Sequence, residues 1–94
     1  MDAKRFALIP AYQPGALLPS LARDLQQNGF EVVVVDDGSG PDYGAVFDST
    51  RPYATVLSYP VNQGKGHALR HGLRWISSRC ALPDVIVTMA SDGQ

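Results

Sequence analysis

Two adjacent carboxylates, Asp36 and Asp37, directly follow a run of valines and precede Gly38 and Ser39. A continuous β-branched run is typical of a strand buried on both faces of a parallel sheet, and ligands usually bind at the carboxyl edge of such a sheet. Paired carboxylates at that point indicate a polar ligand. The alternative is that both acids only cap the turn and the helix that follows.

A second candidate for chemistry is the stretch 62–66, which reads Asn-Gln-Gly-Lys-Gly and begins a segment of helical period. Gly64 and Gly66 let the backbone approach a ligand closely, free N–H groups at a helix start favour an anion, and Lys65 adds a positive charge. These features indicate a phosphate-bearing ligand. Because the spacing is neither that of a phosphate loop nor that of a dinucleotide site, a glycine-rich helix start with an exposed lysine remains the alternative.

The remaining histidine, aromatic and cysteine side chains that could do chemistry are better explained by structural roles. His67 and His71 have a spacing that can hold zinc, but no third ligand accompanies them, so they are interpreted as partly exposed helix residues. Tyr43 and Trp75 are interpreted as packing groups. Cys80, the single cysteine, cannot form an internal disulfide, and it is predicted to pack at a helix end in a protein of the reducing cytoplasm.

The elements that must position these residues follow from the apolar pattern. Four apolar runs predict strands over residues 6–10, 31–36, 55–59 and 85–89. Between the first two strands, apolar residues at helical spacing predict a helix that ends at Gly29; they are Leu17, Leu18, Leu21, Ala22 and Leu25.

Two further helices complete the pattern. The segment 64–79 predicts a helix whose buried stripe consists of Ala68, Leu69, Leu73 and Ile76, with Arg70, Arg74 and Ser77 turned away from it. The segment 42–50 predicts a weaker helix, which begins after Gly40 and Pro41 and ends before Arg51.

Alternating strands and helices predict an α/β fold: a mainly parallel sheet of about four strands with helices on both faces, in three layers, forming half of a doubly wound, Rossmann-like fold. The carboxyl ends of parallel strands meet at one edge of the sheet. Polar groups follow three of the predicted strands, within residues 10–12, 36–39 and 91–94, and we expect them to form a single site. All 94 residues are assigned to one domain.

Composition and charge indicate the class of protein and argue against some classes of function. The chain is 45% hydrophobic and 18% charged, with a net charge of −1, which is typical of a soluble globular protein. Its eight Lys and Arg residues are dispersed, which argues against nucleic acid as a partner. The first apolar run, residues 6–10, is too short for a signal peptide or a membrane span, and neither is predicted.

Four motifs, in their order and spacing, resemble the amino-terminal half of family 2 inverting glycosyltransferases, in particular the branch similar to dolichol- and polyprenyl-phosphate sugar transferases. The resemblance covers essentially the whole chain. It implies a GT-A fold, of which this chain would be the amino-terminal nucleotide-sugar-binding part without the acceptor half. The motifs are Pro10-Ala11-Tyr12-Gln13-Pro14, Val35-Asp36-Asp37-Gly38-Ser39, Asn62-Gln63-Gly64-Lys65-Gly66 and Thr88-Met89-Ala90-Ser91-Asp92-Gly93-Gln94.

The resemblance also implies substrates and site residues. Family members of this branch transfer a sugar from a UDP or GDP donor to a lipid phosphate with inversion, at the cytoplasmic membrane face in full-length relatives. The positions that match Pro10, Tyr12 and Asp37 line the nucleoside pocket, with the Tyr12 ring near the base and the Asp37 carboxylate accepting its hydrogen bonds. The position that matches Lys65 lies near the nucleotide or its diphosphate.

The end of the chain matches the family's metal motif, Asp-x-Asp-x-Gln, in which Mg²⁺ or Mn²⁺ bridges protein oxygens and the donor diphosphate. Asp92 and Gln94 match the second and third ligands. Ala90 stands where the first carboxylate would be, so we expect metal affinity to be weakened or lost. The family places its general base and acceptor pocket beyond this motif; no catalytic base is therefore assigned here, and we expect this chain alone not to turn over a sugar nucleotide.

Two other function classes are open. A non-catalytic nucleotide-binding or assembly module fits Ala90 and the short length. A nucleotidyltransferase would need a glycine-rich loop directly after the first strand, and Tyr12-Gln13-Pro14-Gly15 fits that requirement poorly. An uncovered parallel edge strand could also pair with another chain, so self-association is expected.

Overall fold

The computed structural model describes residues 4–80 and 85–90, which form one parallel sheet covered by helices. Its strands are β1 (Arg5–Ala11), β2 (Glu31–Asp37), β3 (Ala54–Tyr59) and β4 (Val85–Thr88), in the order β3-β2-β1-β4. The helices are α1 (Leu17–Gln27), α2 (Gly44–Thr50) and α3 (Lys65–Arg79). The predicted α/β fold with a parallel sheet is confirmed. None of the described helices is long and apolar enough to cross a membrane.

The core has two halves, one on each face of the sheet, because successive strand residues point to opposite faces. On one face Ile9, Val32 and Val34 pack with residues of α1 and α2, among them Leu18, Ala22 and Phe47. On the other face, strand residues pack with α3; these residues are Phe6, Leu8, Val33, Val35, Ala68 and Ile76. Both faces of β1 and β2 are therefore buried, as the continuous apolar run of β2 predicts.

The boundaries of the first two helices have local causes. Helix α1 ends at Gln27 with Asn28 as its C-cap, and the chain leaves it through Gly29, whose φ of 89° is unfavourable for residues with a side chain. Helix α2 is shorter than predicted, because residues Pro41–Tyr43 form a single 3₁₀ turn before it. Tyr43 packs against the α1/α2 half of the core, as predicted.

The buried stripe of α3 differs from the prediction at Leu73. This side chain is 38% exposed, whereas Gly72 is buried between Ala68 and Ile76, four residues from each. The stripe was predicted from hydrophobic side chains, and a glycine gives no such signal even where it marks the contact. Trp75 and Cys80 pack against the α3 half of the core as predicted, and the Arg79 guanidinium lies 5.1 Å from the centre of the Trp75 ring.

Candidate functional site

The carboxyl edge of the sheet, which we call the rim, consists of the last residues of β1, β2 and β3, the first turn of α3 and three loops: residues 12–16 after β1, 38–40 after β2 and 60–64 between β3 and α3. The three loops meet at this edge. The first two loops are joined through Ser39, which is buried. The Gln13 N–H donates to the Ser39 hydroxyl (2.8 Å), and the Ser39 N–H donates to Oδ1 of Asp36 (2.9 Å). The end of β1 is thus held at a fixed distance from the end of β2.

Gln13 has a φ of 49°, which lies in the left-handed region. A residue with a side chain pays about 1–3 kcal/mol for a sparsely populated backbone conformation, and such residues concentrate at ligand sites. The bond from its N–H to Ser39 helps hold this conformation. The adjacent Tyr12 is left 51% exposed on the rim. The loop therefore presents an aromatic face to solvent at the edge where a ligand is expected.

The Asp37 carboxylate lies at the centre of the rim. It is only 3% exposed and accepts four hydrogen bonds within the protein. Oδ1 accepts from the Tyr59 hydroxyl (2.6 Å) and the Gln63 N–H (2.8 Å), and Oδ2 accepts from the Asn62 side-chain amide (2.9 Å) and the Gly64 N–H (3.0 Å). A carboxylate has about four acceptor positions, so those of Asp37 are filled.

This arrangement bears on the predicted role of Asp37 toward a nucleoside base. The carboxylate as it lies here has no acceptor position left for a base, and the base contact stays a prediction. Its neighbour Asp36 is half-buried, and its Oδ2 has no hydrogen-bond partner among the described residues. Asp36 also lines a surface depression of about 450 Å³, together with Gly40, Pro41, Ser58, Tyr59 and Pro60.

Tyr59 is a rim residue that the sequence did not reveal. It ends β3 and pairs in register with Asp37. Burial and the hydrogen bond to Asp37 raise the pKa of the Tyr59 phenol well above its ordinary value. The rings of His67 and His71 contact the phenol ring edge-on, with centroids at 5.1 and 5.2 Å. Both histidines of α3 are thus engaged with Tyr59, and they have no third metal-ligating partner among the described residues.

At the start of α3, backbone N–H groups of the first turn have no acceptor within the helix. Gly64 caps the helix without a side-chain hydrogen bond, and the first turn contains no acid. The first N–H groups of a helix lack intrahelical partners, and the positive end of the helix dipole is located there. The exposed Lys65 adds a charge at the same point. Such a helix start favours an anion such as phosphate.

The position of the rim in the sheet agrees with a ligand site. The chain passes from β1 to β2 and β3 on one side and returns to β4 on the other, so the strand order reverses between β1 and β4. In open α/β sheets, ligands bind in the crevice outside this point. Pro10 lies beyond Leu8, the last residue of β1 paired with β4, so the N–H that proline lacks is not needed there.

The predicted donor-site residues therefore share one edge. Pro10 and Tyr12 come from the end of β1, Asp37 from the end of β2, and Lys65 from the start of α3. A separate cleft of about 490 Å³ lies near the opposite edge, between α1, the amino ends of β2 and β3, and Trp75. It contains none of the predicted site residues.

Comparison of the chain with known protein families gives one match. Residues 7–94 match the family described as glycosyl transferase family 2. The chain belongs to that family. No curated protein matches it. As a family 2 domain it is of the glycosyltransferase class, whose chemistry requires a nucleotide-sugar donor and an acceptor.

The predicted metal motif of this family 2 domain is only partly covered by the structure. Asp92 and Gln94 lie outside the described residues. Ala90 is described, lies just past the end of β4 and carries no oxygen ligand. Among residues 4–80 and 85–90 no group of three His, Cys, Asp or Glu side chains could hold a metal.

Sequence reasoning missed the contacts that join the rim. Asn62 is the first residue of the motif 62–66 and was assigned no role, yet its side-chain amide donates to both the side chain and the backbone carbonyl of Asp37. Ser39 likewise had no role. The signal that could have found Tyr59 is the parallel pairing of β2 and β3, which places the last residues of both strands side by side.

Proposed function

We propose that this family 2 domain is the donor-binding part of an inverting glycosyltransferase that takes its sugar from a UDP- or GDP-sugar. The observation that supports the proposal most is the joined rim, in which an exposed aromatic ring and a lysine-bearing helix start without a side-chain cap on its first turn lie at one edge. A nucleoside diphosphate has two matching ends, a flat base and a dianionic or trianionic phosphate chain. The rim offers complementary chemistry to each end.

In this proposal the ring of Tyr12 stacks on the base, and Pro10 forms an apolar wall of the nucleoside pocket. A tyrosine ring combines a flat apolar face with a polar tip, which suits a base that is stacked on one side and wet on the other. Lys65 and the first N–H groups of α3 bind the diphosphate. Hydrogen bonds to an ionised acceptor are roughly twice as strong as neutral ones.

The family motif supports a divalent-ion proposal. Asp92 and Gln94 would hold Mg²⁺ or Mn²⁺, which favour oxygen ligands and, when bound, stabilise charge on a leaving diphosphate. Ala90 supplies no ligand, and affinity for a hard cation rises with the number of carboxylates. We therefore propose that this chain binds the ion more weakly than a site with the full motif.

The proposed acceptor is a polyprenyl or dolichyl phosphate at the cytoplasmic membrane face, by resemblance to lipid-phosphate sugar transferases. No general base is assigned to this chain, and we propose that the 94-residue polypeptide alone does not transfer sugar. Incubation with a radiolabelled UDP- or GDP-sugar and a polyprenyl phosphate tests this directly. Labelled lipid formed by the purified chain would disprove it.

The donor-binding proposal is tested by calorimetric titration with UDP, GDP and their sugars, with and without Mn²⁺. We expect binding of at least one diphosphate, strengthened by the ion. Lys65→Ala should weaken diphosphate binding about tenfold, the effect of losing one charge-assisted hydrogen bond. Uridine and guanosine, which lack phosphate, should bind both proteins alike.

The matched control is Arg74→Ala, which removes a positive charge from the exposed face of the same helix. It should leave diphosphate affinity unchanged within about twofold, because a solvent-screened charge away from the helix start contributes little. Equal losses in both variants would mean that only the general charge of α3 matters. No binding of any nucleotide by the wild-type chain would refute the proposal.

A second candidate is a non-catalytic nucleotide-binding or assembly module. The observation that favours it is Ala90, which leaves the described end of β4 without a carboxylate. This candidate predicts nucleotide binding that is unaffected by Mn²⁺. The titration with and without the ion therefore separates the two functions.

A further inference from the structure

Helix α3 concentrates positive charge on one side of the molecule. Its 15 residues include four of the chain's eight Lys and Arg residues and none of its nine Asp and Glu residues. The rest of the chain therefore holds four basic and nine acidic side chains, a net charge of −5 against +4 on the helix. The basic residues are dispersed along the sequence, but half of them belong to this one helix.

The side of α3 that faces away from the sheet is exposed and has a shallow depression of about 390 Å³. We call it the outer face of α3, and its lining residues are Arg70, Leu73, Arg74 and Ser77. Leu73 is 38% exposed, one turn after Arg70 and next to Arg74. A Cβ added at Gly66 would lie 3.4 Å from Arg70 Nη1, so this guanidinium extends toward the start of the helix, where Lys65 is also exposed.

No acidic side chain neutralises the outer face within the part of the chain that the structure describes. The ion pairs there all lie elsewhere, at Lys4–Glu31, Arg23–Asp24 and Arg51–Asp48. The exposed acids Asp24, Asp42 and Asp48 belong to the helical layer on the opposite face of the sheet. The sheet separates the two layers by more than the Debye length of about 8 Å at physiological ionic strength, so these acids are screened from the outer face.

We propose that the outer face of α3 is a docking surface for a membrane that contains anionic lipids. Each Lys or Arg side chain near such a surface strengthens binding about fivefold. The lipid headgroups supply phosphates for the guanidinium groups of Arg70 and Arg74, which can bind phosphate in a bidentate geometry. The apolar layer beneath the headgroups accepts the exposed Leu73. Nucleic acid offers phosphates without an apolar layer, so the outer face fits a lipid surface better.

The packing of α3 determines how the domain lies on the membrane. Ala68 and Ile76 stay buried against the sheet, so the helix rests on the headgroups and does not insert its apolar stripe. Because α3 begins at the rim, docking brings the rim close to the headgroups, where the proposed lipid-phosphate acceptor would lie. The docking surface itself does not depend on nucleotide binding.

The test is co-sedimentation with vesicles of phosphatidylcholine alone or mixed with an equal part of phosphatidylglycerol, at a protein concentration where the chain is monomeric. We expect binding to the mixed vesicles only, and weaker binding as salt is raised, because exposed charges are screened. Arg70→Gln/Arg74→Gln removes two charges and keeps helix-forming side chains. Its partition coefficient for the mixed vesicles should fall about 25-fold, the product of two fivefold effects.

The matched control is Arg23→Gln/Arg51→Gln, which makes the same change in net charge on α1 and just after α2. It should bind the mixed vesicles within about twofold of the wild type, because these charges are screened from a membrane on the other side of the sheet. Equal losses in the two double variants would mean that only net charge matters, and would overturn the proposal. Wild-type binding that is equal for the two kinds of vesicle, or absent from both, would also overturn it.

The competing occupant, nucleic acid, is tested with a DNA duplex at the same salt concentration. The wild type should bind the duplex more weakly than the mixed vesicles. Leu73→Gln should lower vesicle binding several-fold, because its contact with the apolar layer is lost. Duplex binding as tight as vesicle binding, or vesicle binding that Leu73→Gln leaves unchanged, would overturn the lipid assignment. The nucleotide titrations contain no vesicles, so the donor-binding proposal and this one can fail separately.

Discussion

At the scale of single residues, Gly38 shows how closely the rim loops are packed. Its φ is 67°, and a Cβ added there would overlap backbone atoms of Val61 and Asn62. A residue with a side chain would therefore raise the free energy of the folded state through its left-handed conformation, and it would also push apart the loops after β2 and β3. The backbone atoms cannot move aside as a flexible side chain could. Gly38 is required by space as well as by conformation.

We expect Gly38→Ala to lower the free energy of unfolding by at least about 2 kcal/mol, since conformational strain and steric overlap add. The matched control is Gly44→Ala, because Gly44 has helical dihedral angles and no heavy atom within 4 Å of an added Cβ. This control should be neutral or stabilising by about 0.4–1 kcal/mol. Urea denaturation measures both, and equal stabilities of the two variants would contradict the prediction.

Tyr59 makes stability depend on pH in the alkaline range. Its raised pKa means that the folded protein holds the phenolic proton more tightly than the unfolded chain, whose tyrosines ionise near pH 10. The stabilisation is therefore complete below about pH 10 and is lost as the pH rises through the folded-state pKa. Neutral tyrosine can donate to Asp37, whereas the phenolate cannot.

Tyr59→Phe should cost about 1–2 kcal/mol at pH 7, the value of a hydrogen bond to a charged acceptor. The difference from the wild type should shrink above about pH 10, where the unfolded wild-type chain gains from ionisation. Urea titrations at several pH values test this. Tyr12→Phe is the control, because its hydroxyl has no hydrogen bond among the described residues; a gap for Tyr59→Phe that is constant with pH would count against the prediction.

At the scale of elements, helix α3 lies against the sheet at Gly72. A Cβ at this position would overlap Leu8 Cδ1 and would lie 3.2 Å from both Leu8 Cδ2 and Val35 Cγ2. The missing side chain thus lets the helix approach β1 and β2 closely. Hydrophobic periodicity cannot reveal such a contact, which is why Leu73 was predicted to be buried and is in fact exposed at 38%.

Gly72→Ala should destabilise the protein by about 1–3 kcal/mol through overpacking, despite a gain of about 1 kcal/mol in helix propensity. Gly66→Ala in the same helix is the comparison. Its added Cβ would meet only the flexible end of Arg70, so it should be neutral or stabilising. Thermal unfolding of both variants measures the difference, and the prediction fails if Gly72→Ala is the more stable variant.

The sequence predicted the strands and helices well because burial leaves a local pattern in the chain. The valine run of β2 marks a strand covered on both faces, and Gly29 marks the end of α1. The contacts of Asp37 leave no such pattern. They depend on the register that pairs Asp37 with Tyr59 and on a loop that returns to the same edge. Residues 22 or more positions apart meet there, so only the assembled sheet shows them.

At the scale of the whole molecule, the described sheet has two edges of different character. Strand β3 lies between Pro52 and Pro60, and proline lacks the N–H group that strand pairing needs. Strand β4 has no partner on its outer side among the described residues, and Val85 and Ile86 are 41% and 36% exposed. An apolar, unpaired edge is a template for pairing with another chain. The β4 edge is therefore the expected place of self-association.

We expect the 94-residue chain to self-associate as its concentration rises, through the β4 edge. Ile86→Lys should shift the association to higher concentration, because a charged side chain opposes pairing and loses the apolar contact. Val61→Lys makes a similar change in the rim loop, where Val61 is 61% exposed, and should have no effect. Light scattering across a concentration series measures the average mass. A wild-type chain that stays monomeric at high concentration, or equal responses of the two lysine variants, would show that β4 is not the interface.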